Sequence, residues 1–143
     1  MADAQQGIIP HLVVEDAAAA IEFYKNALGA TENFRMPAED GKRLMHAELA
    51  INGAKLFVRD DFPEHRKHYA EDKQRPPKEL GGTSVTLHLD VANCDEATKR
   101  AADAGATVLM QPWDAFWGAR YAMIRDPFGH NWSFAHPLPA KTA

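Results

Sequence analysis

Apolar and polar positions along this chain follow two periods, and the same order of periods occurs twice. Residues 8–14, IIPHLVV, are mostly β-branched and apolar and predict a strand. Asp16 then stands where a helix N-cap is expected. Ile21, Tyr24 and Leu28 recur at helical spacing, and Gly29 is the residue type that ends helices in a left-handed conformation. A strand over 31–36 follows, and strands over 43–51 and 54–59 flank Asn52-Gly53, a strong hairpin signal. The unit reads strand, helix, then three strands.

The second half repeats that order. Its strand is 85–91 and its helix 95–104, stopped by Gly105. Strands follow at 107–111, 120–125 and 130–135, with Asp126-Pro127-Phe128-Gly129 as the last turn. His11-Leu12-Val13-Val14 matches His88-Leu89-Asp90-Val91 at an offset of 77, while Leu28-Gly29-Ala30-Thr31 matches Ala104-Gly105-Ala106-Thr107 at 76. Asn52-Gly53 matches Phe128-Gly129 at the same offset of 76. Three matches in one register point to duplication. The expected fold class is α+β, with two tandem βαβββ modules forming curved mixed sheets around a cavity. The reading is a single domain over 1–143, with modules at 8–60 and 83–136 and a linker at 61–82. The stretch 60–82 is polar, holds three prolines and ends in Gly81-Gly82, which predicts a mobile segment with room for a helical turn. The tail after Pro137 reads as frayed.

Side-chain alternation places the candidate chemistry, because successive strand residues point to opposite faces. Leu87, Leu89 and Val91 form an apolar row that should meet a helix, which leaves Thr86, His88 and Asp90 facing the other way. By the same rule Leu12 and Val14 oppose Ile9, His11 and Val13. The two concave sheets are then expected to share a wall carrying His11, His46, Glu48, His88, Asp90, Arg120 and Asn131, with Phe57, Lys55 and Arg59 at matching parity. The plain alternative is a solvated sheet face. Trp113, Phe116 and Trp117 crowd one short segment just before Tyr121. Beside Arg120 these rings suit a flat or anionic ligand, and they serve equally as core plugs or a dimer contact.

Composition narrows the function classes. The chain has 143 residues, 45% hydrophobic and 25% charged, as an ordinary globular domain does. Its net charge is −4, and the cluster Arg66-Lys67-His68 is broken by Glu64, Glu71 and Asp72, so no basic face for nucleic acid is visible. The one cysteine, Cys94, excludes an intramolecular disulfide framework and suits a reducing compartment. The N-terminal residues read without a signal peptide, and the apolar runs are too short to span a bilayer. The expectation is a soluble cytoplasmic protein with neither nucleic-acid nor membrane partners.

The segments IIPHLVVEDAAAAIEFYKNALGA, MHAELAINGAKLFV and WGARYAMIRDPFGHNWSFA resemble the vicinal oxygen chelate superfamily. That group contains glyoxalase I, fosfomycin and bleomycin resistance proteins and extradiol dioxygenases. The likeness covers about residues 8 to 136 and is nearest to PhnB-like and glyoxalase-like bacterial proteins. It implies paired βαβββ modules, a cavity in each incomplete barrel, and a homodimer. Metal-dependent members carry a His or Glu ligand near the start of each first strand and in each fourth strand. Carried over, those positions are Ile9, Phe57, Thr86 and Ser133. Ile and Phe have no donor atom, and Thr and Ser hydroxyls are poor ligands beside imidazole or carboxylate. Metal-dependent isomerase, transferase or dioxygenase chemistry is therefore not implied for this chain, and no cofactor is expected.

His11 and His88 lie two residues beyond the ligand positions. With Glu48 and His46 they would form a displaced metal site, act as acid and base, or simply hydrogen-bond their neighbours. His130, Asp126 and Pro127 read as structural turn residues, and Cys94 at a helix entrance reads as a buried or capping thiol. The expected function is a metal-free small-molecule-binding protein of the bleomycin and antibiotic-resistance type. Trp113 and Trp117 would stack on the ligand, Arg120 would pair with an anion or carbonyl, and His11 and His88 would donate hydrogen bonds. The alternative is a lyase, isomerase or hydrolase acting on a small carbonyl or epoxide through His11, His88 and Glu48. A third reading is a structural or regulatory dimer with a vestigial cavity.

Overall fold

The computed structural model describes residues 7–68 and 71–140. Strand β1 (His11–Val14) leads into helix α1 (Ala17–Leu28), followed by β2 (Thr31–Pro37), β3 (Leu44–Ile51) and β4 (Ala54–Asp60). A connector holds a 3-10 turn (Pro63–His68) and one short helix, α2 (Pro77–Leu80). Then come β5 (Thr86–Asp90), α3 (Cys94–Ala104), β6 (Thr107–Asp114), β7 (Ala119–Arg125) and β8 (Asn131–Pro137). The strands form two four-stranded sheets, ordered β1-β4-β3-β2 and β5-β8-β7-β6. In each, the first and fourth strands pair in parallel and the rest are antiparallel.

Local chemistry explains the boundaries. Asp16 caps α1 by accepting from the Ala19 amide at 3.1 Å, and Gly29 ends it with φ at 69°. Asn93 caps α3 through the Glu96 amide, so the helix starts at Cys94, one residue before the expected start. Asn52 and Gly53 both have positive φ, 51° and 79°, the two left-handed residues that a tight hairpin turn demands. Strand β1 starts at His11 rather than residue 8, because Ile8 projects fully into solvent. Strand β6 runs on to Asp114, which puts Trp113 in the sheet opposite Tyr121 rather than in a turn. Bulges in β2–β3 and β6–β7 bend both sheets.

The duplication is exact in register at the strand that matters. His11 lies opposite Phe57 and His88 opposite Ser133 across the two parallel pairs. One apolar core runs through both modules, with Leu12, Val14, Leu49, Ile124 and Phe134 on the helix-facing sides of the sheets and Ile21 of α1 packed among them. Each such large side chain contributes about 1.5–3 kcal/mol on burial. Helices α1 and α3 pack together, and Arg100 of α3 donates from Nε to the Asn26 carbonyl at 2.8 Å near the end of α1. Asp60 is buried at the end of β4, where its carboxylate accepts from the Ala17 and Leu44 amides at 2.9 and 2.6 Å. Burial pushes its carboxyl above the usual carboxylate range, against the pull of those two amides.

The connector, expected as a mobile linker, is tied to the sheets over its described residues. Arg43 of the β2–β3 loop bonds Glu64 and lies 4.4 Å above the Phe62 ring, while Arg66 bonds Asp61 and Glu79. Pro77 packs on Gly129 of the β7–β8 turn so closely that a Cβ there would sit 2.7 Å from the proline Cβ. A polar, proline-bearing stretch reads as loop from its sequence; here Pro76 and Pro77 are buried, while Pro63 stays exposed.

Candidate functional site

The convex side of each sheet is covered by helix, so the opposite faces carry the candidate groups. On the first sheet His11 from β1, His46 from β3 and Phe57 from β4 meet edge to face, with ring centroids 5.6 Å (His11–His46), 5.7 Å (His11–Phe57) and 4.6 Å (His46–Phe57) apart. Phe34 of β2 extends the cluster, 6.3 Å from His46. Glu48 accepts from the Asn33 side-chain amide at 3.1 Å and lies 3.7 Å from the Lys55 ammonium. Partial burial lowers the His11 pKa below its ordinary 6.5, and the Arg59 guanidinium and His46 push the same way. His11 is therefore a neutral imidazole at pH 7.

The second sheet holds a hydrogen-bonded chain. His88 Nδ1 lies 2.7 Å from Ser133 Oγ, and His88 Nε2 lies 3.0 Å from Asp90 Oδ1. For a neutral imidazole, the pairing that suits both neighbours is Nε2–H donating to the Asp90 carboxylate and Nδ1 accepting from the Ser133 hydroxyl. The His88 ring stacks over Tyr121 at 6.4 Å and 12°. Tyr121 meets Trp117 at 5.4 Å, and Trp117 meets Trp113 at 5.7 Å and Phe116 at 5.0 Å. Trp117 remains 53% exposed and Phe116 92%, so this aromatic wall is open.

The predicted site residues thus fall into two groups. His11, His46, Glu48 and Phe57 share one sheet, whereas His88 and Trp113 belong to the other and Trp117 to the β6–β7 turn of that sheet. Arg120 joins neither and corrects the expected wall. It has the parity of Ala122 and Ile124, on the helix side of β7, opposite to Tyr121. Its guanidinium is held by Asp95 of α3 at 2.9 and 3.0 Å and by Asp114 at 3.0 Å. The grouping with Trp113 and Trp117 came from nearness in sequence, and strand alternation overrides it.

Sequence reasoning missed two participants. Tyr121 was counted among the aromatics but not as the ring beneath His88, and Ser133 was read only as a ligand position. The second pairing comes from the parallel register of β5 and β8, which offsets between the two modules do not supply. Cys94 is fully buried, its thiol donating to the Phe134 carbonyl at 3.5 Å, and burial raises its pKa. It is an inert thiol. His130 bonds the Val13 carbonyl at 3.0 Å and links the modules.

The positions that would hold a metal do not fit one. Ile9 and Thr86 line a cleft of about 500 Å³ formed by the segment before β1, the β3–β4 hairpin and β5, and the isoleucine brings no donor atom to it. Phe57 packs against two imidazoles, and the Ser133 hydroxyl is engaged by His88. Among the described residues, no three His, Cys, Asp or Glu side chains converge as ligands. No helix among them is long and apolar enough to cross a membrane.

Residues 8–134 match the family described as the Glyoxalase/Bleomycin resistance protein/Dioxygenase superfamily. The chain is 46% identical over 134 residues to an uncharacterized protein of Mycobacterium bovis, Mb0911c, covering 94% of this chain and 85% of that one. Among solved structures it resembles TioX from Micromonospora sp. ML1, with a TM-score of 0.69, 27% identity and coverage of 93% and 99%. A glyoxalase-related enzyme from Fulvimarina pelagi has a TM-score of 0.71 at 20% identity, over 97% of this chain and 96% of that one, and shows the fold alone. With two βαβββ modules in one register and a family match across both, the chain belongs to the glyoxalase/bleomycin resistance/dioxygenase superfamily.

Proposed function

We propose that this protein binds a small molecule with a flat aromatic part, without a metal, in the manner of the bleomycin and antibiotic-resistance members of its superfamily. The observation that carries this reading is the open aromatic wall of Tyr121, Trp117, Trp113 and Phe116 beside His88, whose ring is held by Ser133 and Asp90. Aromatic faces of this kind hold planar ligands by offset or edge contacts. The Ile9, Phe57, Thr86 and Ser133 side chains support binding without a cation. The PhnB-like kinship and a cytoplasmic location belong to the same reading.

The reading includes a homodimer. Both concave faces carry exposed large apolar side chains, Phe34 and Met36 on the first sheet and Met110, Trp113 and Trp117 on the second. A second copy laid across them would turn two open half-barrels into closed cavities. Sedimentation at micromolar concentration is expected to give a dimer, and a monomer would reject this part.

Fluorescence tests binding directly, because Trp113 and Trp117 are exposed while Trp132 is buried. Titration with bleomycin and other planar heteroaromatic compounds should change the emission, and Trp117→Ala should remove the response. Metal analysis of protein purified without chelator tests the other half. Near-stoichiometric metal, lost in the His11→Ala, His88→Ala double variant, would reject the metal-free reading.

The Ser133–His88–Asp90 chain favours one second reading, a glyoxalase-like lyase or isomerase acting on a small carbonyl or epoxide. A histidine held between a hydroxyl and a carboxylate is a competent acid or base. Turnover of such a substrate that disappears in His88→Gln would favour it over passive binding.

A further inference from the structure

A separate recess opens where β4 leaves the first sheet and the connector folds back across it. Its volume is about 260 Å³, and Arg59, Arg66, Arg75, Gln74, Asp72 and Phe62 line it. Ligand pockets for whole small molecules start at roughly 300 Å³, so this one suits a single chemical group or one end of a ligand.

Its charges are oriented but not cancelled. Arg59 donates from Nη2 to the Gln74 side-chain carbonyl at 3.2 Å and from Nη1 to the Asp60 carbonyl at 3.1 Å. Arg75 donates from Nη1 to the Asp72 and Gln74 backbone carbonyls at 3.2 and 2.7 Å. Both guanidiniums are thus held by neutral acceptors around one residue, Gln74. Arg59 has no ion pair among the described residues, and Arg75 has only the Glu79 carboxylate, 3.8 Å from its Nε. Arg66 is balanced by Asp61 and Glu79, yet its Nε is buried with no hydrogen-bond partner among the described residues. Asp72 is the one carboxylate in the lining, and it is engaged by the Gln74 amide at 2.9 Å. The Arg66 charge is balanced by Asp61 and Glu79, which leaves Arg59, with no ion pair among the described residues, and Arg75, whose nearest carboxylate is 3.8 Å away, as the two guanidiniums open to an anion.

We propose that this recess is an oxyanion site, in which a carboxylate or phosphate group bridges the Arg59 and Arg75 guanidiniums. Planar guanidinium forks bind both groups through paired, charge-assisted hydrogen bonds, and side chains already held in place lose little freedom on binding. Arg59 also shares the β4 face with Phe57, whose ring touches His11 and His46. A ligand anchored by its anion at Arg59 would lay its remaining body on that ring cluster, a step that rests on the small-molecule reading above. The anion site itself does not.

Calorimetric titration with inorganic phosphate, and separately with acetate, at ionic strength held constant with chloride, tests the proposal. One saturable site is expected for at least one anion, and the stronger of the two identifies the group. Affinity should fall about tenfold or more in Arg59→Gln and in Arg75→Gln. It should fall less in Arg59→Lys, which keeps the charge but loses the fork, and stay unchanged in Lys55→Gln, which removes a charge elsewhere on the same sheet. Absence of saturable binding of either anion would overturn the proposal, as would equal loss in Lys55→Gln or no loss in the arginine variants. The fluorescence of Trp113 and Trp117 on the second sheet reports aromatic binding independently. Its failure would remove the receptor reading and leave the anion site standing, and the converse holds.

Discussion

The phenol of Tyr24 on α1 donates a 2.6 Å hydrogen bond to Oδ2 of Asp126, 102 positions away in the β7–β8 turn. The same oxygen accepts from the Trp132 indole at 3.0 Å, while Oδ1 takes the Phe128 and His130 amides at 2.9 and 3.0 Å. Asp126 is 3% exposed and Tyr24 fully buried, so this pairing fastens one module to the other inside the shared core. Burial and the adjacent carboxylate push the Tyr24 pKa well above 10.0, which keeps the phenol a donor at any ordinary pH.

Tyr24→Phe removes one of the four donors to a buried carboxylate and is expected to cost about 1–3 kcal/mol. Asp126→Ala leaves the indole, the phenol and two amides without their acceptor and should cost more. Urea unfolding of both variants checks the order. Equal, negligible effects would show that the modules do not depend on this bond.

Gly129→Ala should destabilise more than Gly53→Ala. Both glycines have positive φ, 94° and 79°, but a Cβ at Gly129 would lie 2.7 Å from Pro77, whereas nothing lies within 4 Å at Gly53. Strain at positive φ costs on the order of 1 kcal/mol in either case, and the clash adds to it at Gly129 alone. Thermal unfolding of the two variants, and rescue of Gly129→Ala by Pro77→Ala, would separate backbone strain from crowding.

His11 gives a pH signature with a definite sign. Its folded pKa lies below 6.5, so as pH falls through 6.5 the unfolded chain takes up a proton that the folded chain resists. Stability from this group is complete above 6.5 and declines toward acid. Asp60 acts oppositely. Its folded carboxyl pKa lies above 3.8, so the folded chain binds the proton first and gains stability as pH drops through that raised value. In His11→Phe the slope of unfolding free energy against pH just below 6.5 should become shallower. An unchanged slope would contradict the burial of the imidazole.

Arg120→Gln should leave every ligand response intact, because its guanidinium is engaged by Asp95 and Asp114 on the helix side of β7. Loss of the Trp113 and Trp117 fluorescence response in a stably folded variant would return Arg120 to the ligand wall.

Cys94 should react with a thiol reagent at the rate of unfolding rather than of encounter. It is fully buried, and burial keeps it protonated. Fast stoichiometric labelling of the native protein would refute that.

What local sequence determined is the set of elements and their duplication. Periodicity, the caps at Asp16 and Gly29, and the Asn52-Gly53 turn depend on contacts within a few residues, which sequence spacing encodes directly. Alternation also assigned His11, His46, Glu48, Phe57 and His88 to the sheet faces turned away from the helices, because pleating admits only two directions. Tertiary structure decided how those faces combine. Pairing of each module's strands among themselves put the two histidine groups on separate sheets, and alternation within β7, hidden by the nearness of Arg120 to Trp117, turned that arginine toward α3. The burial of Asp126 under Tyr24 and the gathering of Arg59 and Arg75 around Gln74 join residues distant in sequence or separated by a loop. No local period records such contacts; they exist only once the chain has closed on itself.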